Sequence, residues 1–265
     1  MPFARHKGTA LITGASLGIG AVYAKRLARA GYDLILVARQ ADRLRTFATL
    51  LTNESGRSVE MIAADLSNPA DLVTVVNTLA MDASVTFLVN NAGIGSFAPG
   101  TRLLDAHEAE QSIALSVIAT IRLAYAVAPG FAARGRGTIV NISSMAAIAP
   151  EYVGGVHGAN GAFVLALTRS LHHQFSRDGV RVQVVLPPVP TARLQGPLGK
   201  SNGQGQRNID IEYLVDAALS SLDQGELVTM PYLPDTTLWT SYEHARDAIA
   251  TRLSCVTPAR RRRPR

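Results

Sequence analysis

The sequence is poor in cysteine and in lysine, and each shortage excludes a class of site. The single cysteine, Cys255, excludes an intrachain disulfide and any metal site built from several cysteines. Only three of the 26 basic side chains are lysines, Lys7, Lys25 and Lys200, so the other 23 are arginines. Chemistry that depends on a lysine inside the fold therefore has few residues available to it.

Charged residues and long apolar runs are also scarce. Charged residues make up 17% of the 265-residue chain and hydrophobic residues 47%, a composition that excludes a disordered chain. No apolar run approaches the roughly 18 residues of a membrane span, and no charged-then-apolar leader opens the sequence. We expect a cytoplasmic globular protein with no membrane partner and no metal.

The positive charge is concentrated near the C-terminus. The formal charge of +6 includes five arginines in residues 258–265, which read PARRRRPR. Such a run can contact nucleic acid or an anionic surface, or it can be a solvated terminus. A nucleic-acid site normally needs a basic face on the folded part as well. We therefore predict a disordered arginine-rich tail over 258–265 and no nucleic-acid partner.

Seven short apolar or β-branched runs alternate with longer stretches of helical period. The runs are TALIT (9–13), LILVA (34–38), VEMIA (59–63), TFLVN (86–90), TIVNI (138–142), VQVVL (182–186) and ELVTM (226–230). Near-continuous apolar runs are typical of parallel strands buried on both faces. The alternation predicts an α/β fold of the Rossmann type, a doubly wound parallel sheet of about seven strands with helices on both faces.

The organisation of the chain follows from the same patterns. No repeat or long linker divides it, so residues 1–257 are predicted to form a single domain. The polar, glycine-rich segment 191–208 follows a predicted strand and is either a substrate loop or a connector without a role. Residues 234–253 are predicted to form a helical extension on the substrate side. Apolar stripes at 113–125 and 164–175 can pack against a partner subunit or against the sheet.

A glycine-rich turn, TGASLGIG, lies between the first predicted strand and the first helical stretch. Glycines at such a place permit a tight turn and let backbone N–H groups approach a pyrophosphate at the positive N-terminus of a helix. The turn therefore predicts a dinucleotide site. Its residues are Gly14, Ser16, Leu17, Gly18, Ile19 and Gly20.

The spacing TGxxxGxG resembles that of the short-chain dehydrogenase/reductase family, and other segments agree over roughly residues 7–230. Asn90-Asn91-Ala92-Gly93 resembles the family's NNAG motif, which stabilises the central sheet and borders the cofactor. Asp65, followed by Leu66, stands at the position that contacts the adenine, and Pro187 begins the turn after the sixth strand. The resemblance implies hydride transfer between a nicotinamide cofactor and a small carbonyl or alcohol, in a homodimer or homotetramer.

The end of the second strand bears on the choice of cofactor. An acid at this place takes the ribose 2′-hydroxyl of NAD, whereas a cation suits the 2′-phosphate of NADP. Here the strand ends Val37-Ala38-Arg39, and no acid precedes Asp42. The planar guanidinium of Arg39 can pair with a phosphate, and Ser16 can add a hydroxyl. We expect NADP(H) in preference to NAD(H); the alternative for Arg39 is an ordinary surface residue.

The catalytic positions depart from the family pattern. Family members use a serine, a tyrosine thirteen residues later, a lysine four residues after the tyrosine, and an asparagine earlier in the chain; the lysine lowers the pKa of the tyrosine. This sequence keeps Ser144 but has His157, Gly161 and Ser116 at the other three positions. No tyrosine in the chain is followed four residues later by a lysine.

These substitutions leave several functions open. The first is an NADP(H)-binding protein whose ordinary redox turnover is lost or strongly reduced. The second is an active NADP-dependent reductase that uses His157 together with Ser144, since an imidazole is in principle a competent acid or base near neutral pH. An interaction protein without nucleotide is disfavoured by the glycine turn, Arg39 and Asp65. A serine–histidine hydrolase is disfavoured because no GxSxG surrounds Ser144.

Overall fold

The computed structural model describes residues 6–93, 105–153, 155–189 and 209–253. The chain divides into two compact units, Met1–Pro231 and Tyr232–Arg265. The predicted substrate loop (191–208) and the predicted tail (258–265) lie outside the described residues. The assignment of 1–257 to a single domain stays a prediction.

Seven parallel strands form one sheet in the order β3-β2-β1-β4-β5-β6-β7. They are β1 (Thr9–Thr13), β2 (Asp33–Ala38), β3 (Val59–Ala63), β4 (Val85–Asn90), β5 (Gly137–Ile142), β6 (Val180–Val185) and β7 (Val228–Thr229). Each of the seven predicted runs contains or overlaps one strand. The predicted doubly wound α/β fold is therefore confirmed.

Helices connect the strands of the first unit. They are α1 (Gly18–Arg29), α2 (Ala41–Ser55), α3 (Pro69–Met81), α4 (Ala106–Ile113), α5 (Ala119–Ala133), α6 (Gly155–Phe175) and α7 (Ile211–Asp223). A π-helical turn, Ala114–Ile118, joins α4 directly to α5. The second unit contains α8 (Thr236–Ala250), which falls within the predicted helical segment 234–253.

The core consists of two apolar layers, one on each face of the sheet. Ala10 and Ile12 of β1 pack with α1, α2 and α7, whereas Leu11 packs with α3, α5 and α6. Successive side chains of a strand point to opposite faces, so a strand between two helical layers must be apolar at every position. The central strands therefore read as unbroken apolar runs.

β3 departs from the expectation that each strand is buried on both faces. None of its five residues is buried, and β2 is its neighbour at the edge of the sheet. An edge strand has a partner on one side, and its side chains lie at the margin of both helical layers. The run VEMIA thus predicted the strand correctly and its burial wrongly.

The apolar stripe predicted from Ile113 to Tyr125 does not face the sheet. Ile113 and Tyr125 are exposed, whereas Leu115 and Leu123 between them, and Phe131 further along α5, are buried in the core layer that includes the strands. Alanines supply much of this inner face, so side-chain hydrophobicity along the helix did not reveal which face is buried. The stripe at 164–175 does face inward, with its first and third members, Val164 and Leu171, buried.

One helical segment, Ala106–Ala133, is long and apolar enough by length and composition to cross a membrane. The sequence did not reveal it because charged and polar residues interrupt the apolar run. Its buried residues pack against the sheet in the second core layer. Within the first unit the segment is a core element.

Candidate functional site

A groove of about 820 Å³ opens where the strand order reverses between β1 and β4. Crevices at this point of a doubly wound sheet bind ligands at the carboxyl ends of the strands. Residues from four chain segments that follow strands line the groove, together with one residue each from the π turn and α7. They are Gly14, Ser16, Leu17, Gly18, Ile19, Val37, Ala38, Arg39, Gln40, Arg43, Ala64, Leu66, Asn91, Ala92, Gly93, Leu115 and Ile211.

The three glycines of the turn meet different requirements. Gly14 and Gly18 have φ values of +63° and +55°, in the left-handed region that favours glycine. A Cβ on Gly20 would lie 2.4 Å from the carbonyl oxygen of Gly14, whereas a Cβ on Gly18 would meet nothing within 4 Å. Leu17, the N-cap residue, offers no side-chain hydrogen bond to the N-terminus of α1. The turn therefore leaves open space beside helix N–H groups that an anion can use.

Asn91 joins the end of β4 to this turn. Its Nδ2 donates to the carbonyl oxygens of Thr13 (3.0 Å) and Gly14 (3.2 Å). The backbone N–H groups of Asn91 and Ala92 both donate to Oγ1 of Thr13, at 2.9 and 3.0 Å. These bonds hold two walls of the groove in fixed relation.

Arg39 is exposed and lines the groove, and Arg43, in the first turn of α2, lines it as well. Asp65 is not among the described residues that line the groove. Its Oδ1 accepts hydrogen bonds from the hydroxyl (2.6 Å) and N–H (2.9 Å) of Ser67. Burial raises the pKa of the Asp65 carboxyl, but the Ser67 bonds and the charge of Arg39 outweigh it, so the pKa is lowered. Its neighbour Leu66 borders the groove instead.

The four positions matched to the family's catalytic residues meet at one small cavity. Ser116, Ser144, His157 and Gly161 all line it. Its volume of about 10 Å³ corresponds to the space of one water molecule. Its other lining residues are Ala92, Thr120, Ile142, Ser143, Asn160 and Val164.

Ser144 lies in the turn after β5. It is buried, and its Oγ accepts a hydrogen bond from the N–H of Ala146 at 3.2 Å. The N–H of Met145 donates to the carbonyl oxygen of Pro187 at 2.9 Å, which joins this turn to the one after β6. Pro187 is itself buried. It does not line the cavity, but through Met145 it holds the turn that carries Ser144.

Glycines give the first half of α6 a close approach to its neighbours. A Cβ on Gly158 would lie 2.6 Å from Cα of Pro150. A Cβ on Gly161 would lie 3.2 Å from Oγ of Ser143 and 3.5 Å from Cβ of Ala147, and the same Oγ donates to the Gly161 carbonyl oxygen at 2.9 Å. A side chain at 161 therefore needs a shift of a few tenths of an ångström in Ser143.

Ser116 stands in the π-helical turn, an irregularity that often occurs at functional sites. The hydroxyl of Thr120 donates to the Ser116 carbonyl oxygen at 2.8 Å. A Cβ on Gly93, whose φ is +115°, would lie 2.6 Å from Oγ of Ser116. The π turn thus lies against the end of β4, where the groove and the small cavity share Ala92.

The sequence does not predict several lining residues. Arg43 follows Arg39 by one helical turn, a spacing that could have drawn attention to it. Asn160 is buried and donates to Oγ of Ser112 at 3.0 Å, but its burial depends on the tertiary structure. Ile211 comes from a distant segment that no local pattern connects to the turn. In the described part of the chain, no three His, Cys, Asp or Glu side chains cluster as metal ligands do.

Comparison with known proteins supports the motif analysis. The short chain dehydrogenase family model matches residues 8–202. Very-long-chain 3-oxoacyl-CoA reductase from Anas platyrhynchos is 31% identical over 182 residues, which cover 67% of this chain and 58% of that protein. The chain thus spans less than two thirds of the length of the curated relatives it matches.

Solved structures extend the similarity to nearly the whole chain. A short-chain dehydrogenase from Sphingobium yanoikuyae in complex with NADPH is 42% identical, with a TM-score of 0.86 over 97% of this chain and 100% of that one. The bulky-bulky ketone specific alcohol dehydrogenase from Comamonas testosteroni is 38% identical, with a TM-score of 0.87 over 98% and 100%. With its seven-stranded sheet and glycine turn, the chain belongs to the short-chain dehydrogenase family.

Proposed function

We propose that this protein binds NADP(H) in preference to NAD(H) and that its ordinary carbonyl/alcohol turnover is lost or strongly reduced. One contrast carries the proposal. The phosphate end of the groove keeps an open glycine cradle at Gly18, whereas the cavity at the catalytic positions is lined by hydroxyls, an amide and the imidazole of His157. None of the described residues that line this cavity carries a permanent positive charge.

The groove offers a partner to each part of the cofactor. The turn residues Gly14 to Gly20 would hold the pyrophosphate, Arg39 and Ser16 the 2′-phosphate, and Leu66, with Asp65 behind it, the adenine. Asn91, Ala92 and Gly93 would border the nicotinamide half, with Pro187 behind Ser144. When bound, the cofactor supplies the two electrons that the family exchanges with a carbonyl or alcohol substrate. The NADPH complex of the Sphingobium yanoikuyae relative supports this assignment.

The lysines of the chain explain why turnover should be low. Lys7 precedes β1 and stacks on the ring of Tyr32 (5.8 Å to its centroid), at the end of the sheet opposite the groove. Lys25 lies on α1, outside the described lining of the cavity, and Lys200 lies outside the described residues. Among the described residues, no lysine lines this cavity, so none of them supplies a proton donor there with the neighbouring ammonium that shifts its pKa in the family.

Nucleotide titration tests the cofactor assignment. NADPH at about 100 times its dissociation constant should raise the free energy of unfolding by roughly 2.7 kcal/mol, and NADH at the same concentration should raise it less. Arg39→Ala should remove the preference for NADPH. Arg45→Ala is the matched control, because Arg45 pairs with Asp42 and is absent from the described groove lining. Absence of a shift with either nucleotide would rule out the cofactor site.

Turnover assays test the loss of activity. Wild type should be inactive on a panel of ketones and aldehydes that includes bulky ketones, and the double variant His157→Tyr, Gly161→Lys should gain activity. Gly161→Ala controls for the shift that any Cβ at 161 demands of Ser143. If the wild type does turn over a substrate, Lys200→Ala tests whether that lysine supplies the positive charge.

The second candidate is an active reductase, and one observation favours it: His157 and Ser144 line the same cavity. An imidazole is a competent acid or base near neutral pH without a lysine. Wild-type turnover that disappears in His157→Ala would establish this function and refute the first.

The proposal also includes a cytoplasmic location, a small carbonyl or alcohol as ligand, and a homodimer or homotetramer. Exposed apolar side chains on α5 and α6 support an interface between subunits. Tyr125 and Phe163 are 47% and 38% exposed, and Ile118 of the adjoining π turn is 43% exposed.

A further inference from the structure

Arg26 connects two helices that both begin at the groove. Its Nε donates to Oδ1 of Asp216 at 2.6 Å, and its Nη2 donates to Oδ2 of the same carboxylate at 2.9 Å. Nη2 also donates to Oε2 of Glu212 at 3.2 Å. One guanidinium on α1 thus binds two carboxylates from the first two turns of α7, one of them through a bidentate pair.

The arginine of this cluster is more buried than its partners. The side chain of Arg26 is 19% exposed, against 53% for Asp216 and 67% for Glu212. The hydrogen bonds from Arg26 lower the pKa of the Asp216 carboxyl, and the nearby charge of Arg29 adds to the effect. The carboxylate is therefore ionised at neutral pH and held in a defined orientation.

The cluster lies close to the groove in both helices. Gly18 opens α1 and Ile211 opens α7, and both residues line the groove. Arg26 is eight residues into α1, or about 12 Å along its axis at 1.5 Å per residue. Asp216 is five residues beyond Ile211, so the cluster joins the two helices about two turns from the groove on α1 and less than two turns from it on α7.

Apolar packing and the ion pairs fix different properties of α7. Leu214, Val215 and Leu222 pack into the same core layer as Tyr23 and Leu27 of α1, which sets how deeply α7 lies against α1. Apolar contact is non-directional and leaves rotation about the helix axis less defined. A planar bidentate pair has a required geometry and removes that freedom.

We propose that Arg26 is a positioning residue for the cofactor groove, acting through Asp216 and Glu212 to fix the rotation of α7 and thus the approach of Ile211 to the groove. The inference rests on the proposed binding of NADP(H). According to this inference, α7 contributes to cofactor affinity through its first residue, Ile211.

The test compares NADPH dissociation constants, measured by nucleotide fluorescence, for wild type, Glu212→Ala with Asp216→Ala, and Asp223→Ala. We expect the double variant to bind NADPH about fivefold more weakly, within the range of coupling energies between linked sites. Asp223→Ala is the matched control, because Asp223 pairs with Arg181 at the far end of the same helix (3.4 Å). It should stay within about twofold of wild type, as expected for an exposed pair.

The sign of the effect separates positioning from simple electrostatics. Removal of two negative charges favours the binding of an anionic nucleotide, so charge alone predicts tighter binding in the double variant. Equal or tighter binding by a folded double variant overturns the inference. A wild type that does not bind NADPH overturns the proposed function as well, so the two failures are distinguishable.

Ile211→Ala gives an independent measurement that leaves the ion pairs intact. It should weaken NADPH binding to a similar extent, and combining it with the double variant should add little, because both changes remove the same contact. Additive losses would show that the cluster acts by another route and overturn the inference. If the double variant fails to fold, Ile211→Ala alone still tests the inference, because unchanged NADPH binding by that variant overturns it.

Discussion

Gly18 and Gly20 lie two residues apart, yet substitution at the two positions should act through different causes: a collision at Gly20, and a strained backbone with an obstructed turn at Gly18. A Cβ at Gly20 collides with backbone, so Gly20→Ala should lower the free energy of unfolding by about 1–3 kcal/mol, as overpacking does. Gly18→Ala faces open space and should lower stability by about 1 kcal/mol through its positive φ, while its methyl group obstructs the cradle. Urea denaturation and NADPH titration measure both effects. A Gly18→Ala protein with undiminished affinity would argue against a phosphate at this turn.

Ser67 and Asp65 form a pair whose effect on stability should depend on pH. The pKa of Asp65 is lowered in the folded protein, so its contribution is present above the unfolded value of about 3.9 and is lost as pH falls through the folded value. Ser67→Ala should therefore destabilise the protein by about 1 kcal/mol at pH 7 and by progressively less below pH 4. Urea denaturation across this range checks the trend. A difference independent of pH would contradict it.

At the scale of single residues, the sequence predicts which residues share a site when those residues stand on helices or at strand ends. The spacing of Ser116, Ser144, His157 and Gly161 was enough to bring them to one cavity, because each stands at a defined place on a helix or strand end. The contact of Asp65 with the adenine stays a prediction; one of its carboxylate oxygens accepts a hydrogen bond from a hydroxyl two residues away. Such local competition depends on side-chain rotamers that a motif does not specify.

A side-chain hydrogen bond from Thr120 supports the π-helical turn. Thr120 is buried, and Thr120→Val would leave the Ser116 carbonyl without this hydrogen bond, which should reduce the free energy of unfolding by about 1–2 kcal/mol. Thr78→Val is the control, because Thr78 makes the same kind of bond (3.1 Å, to the Thr74 carbonyl oxygen) on the exposed part of α3. It should change stability by less than about 0.5 kcal/mol. Equal losses in the two variants would contradict a special role for the π turn.

Elements were predictable to different degrees. Strand positions followed from unbroken apolar runs, because a central strand that is buried on both faces must be apolar at nearly every position. The inner face of α5 did not follow, because alanines share that face with Leu123 and Phe131 while Tyr125, which is also large and apolar, points outward. Hydrophobicity reports the size of an apolar side chain, and a close helix–sheet contact favours small ones.

At the scale of the whole molecule, the outward apolar side chains predict self-association. Ile118→Asp with Tyr125→Asp should convert an oligomer into monomers, because charge at the centre of an interface is strongly disfavoured. Size-exclusion chromatography with light scattering measures the mass. Met81→Asp serves as the control, since Met81 is 85% exposed on α3. A monomeric wild type, or an unchanged mass in the double variant, would count against an interface at these residues.

The glycines of α6 have a consequence for the time dependence of the site. Gly155, Gly158 and Gly161 lie within the first seven residues of this helix, the stretch that carries His157, and glycine in a helix interior has a helix propensity roughly 1 kcal/mol less favourable than that of alanine. Backbone amides in this stretch should therefore exchange with solvent deuterium faster than those of the later turns around Leu171, through local opening. The glycine turn would thus keep its structure between global unfolding events, while the neighbouring cavity opens and closes many times through local opening of the first turns of α6.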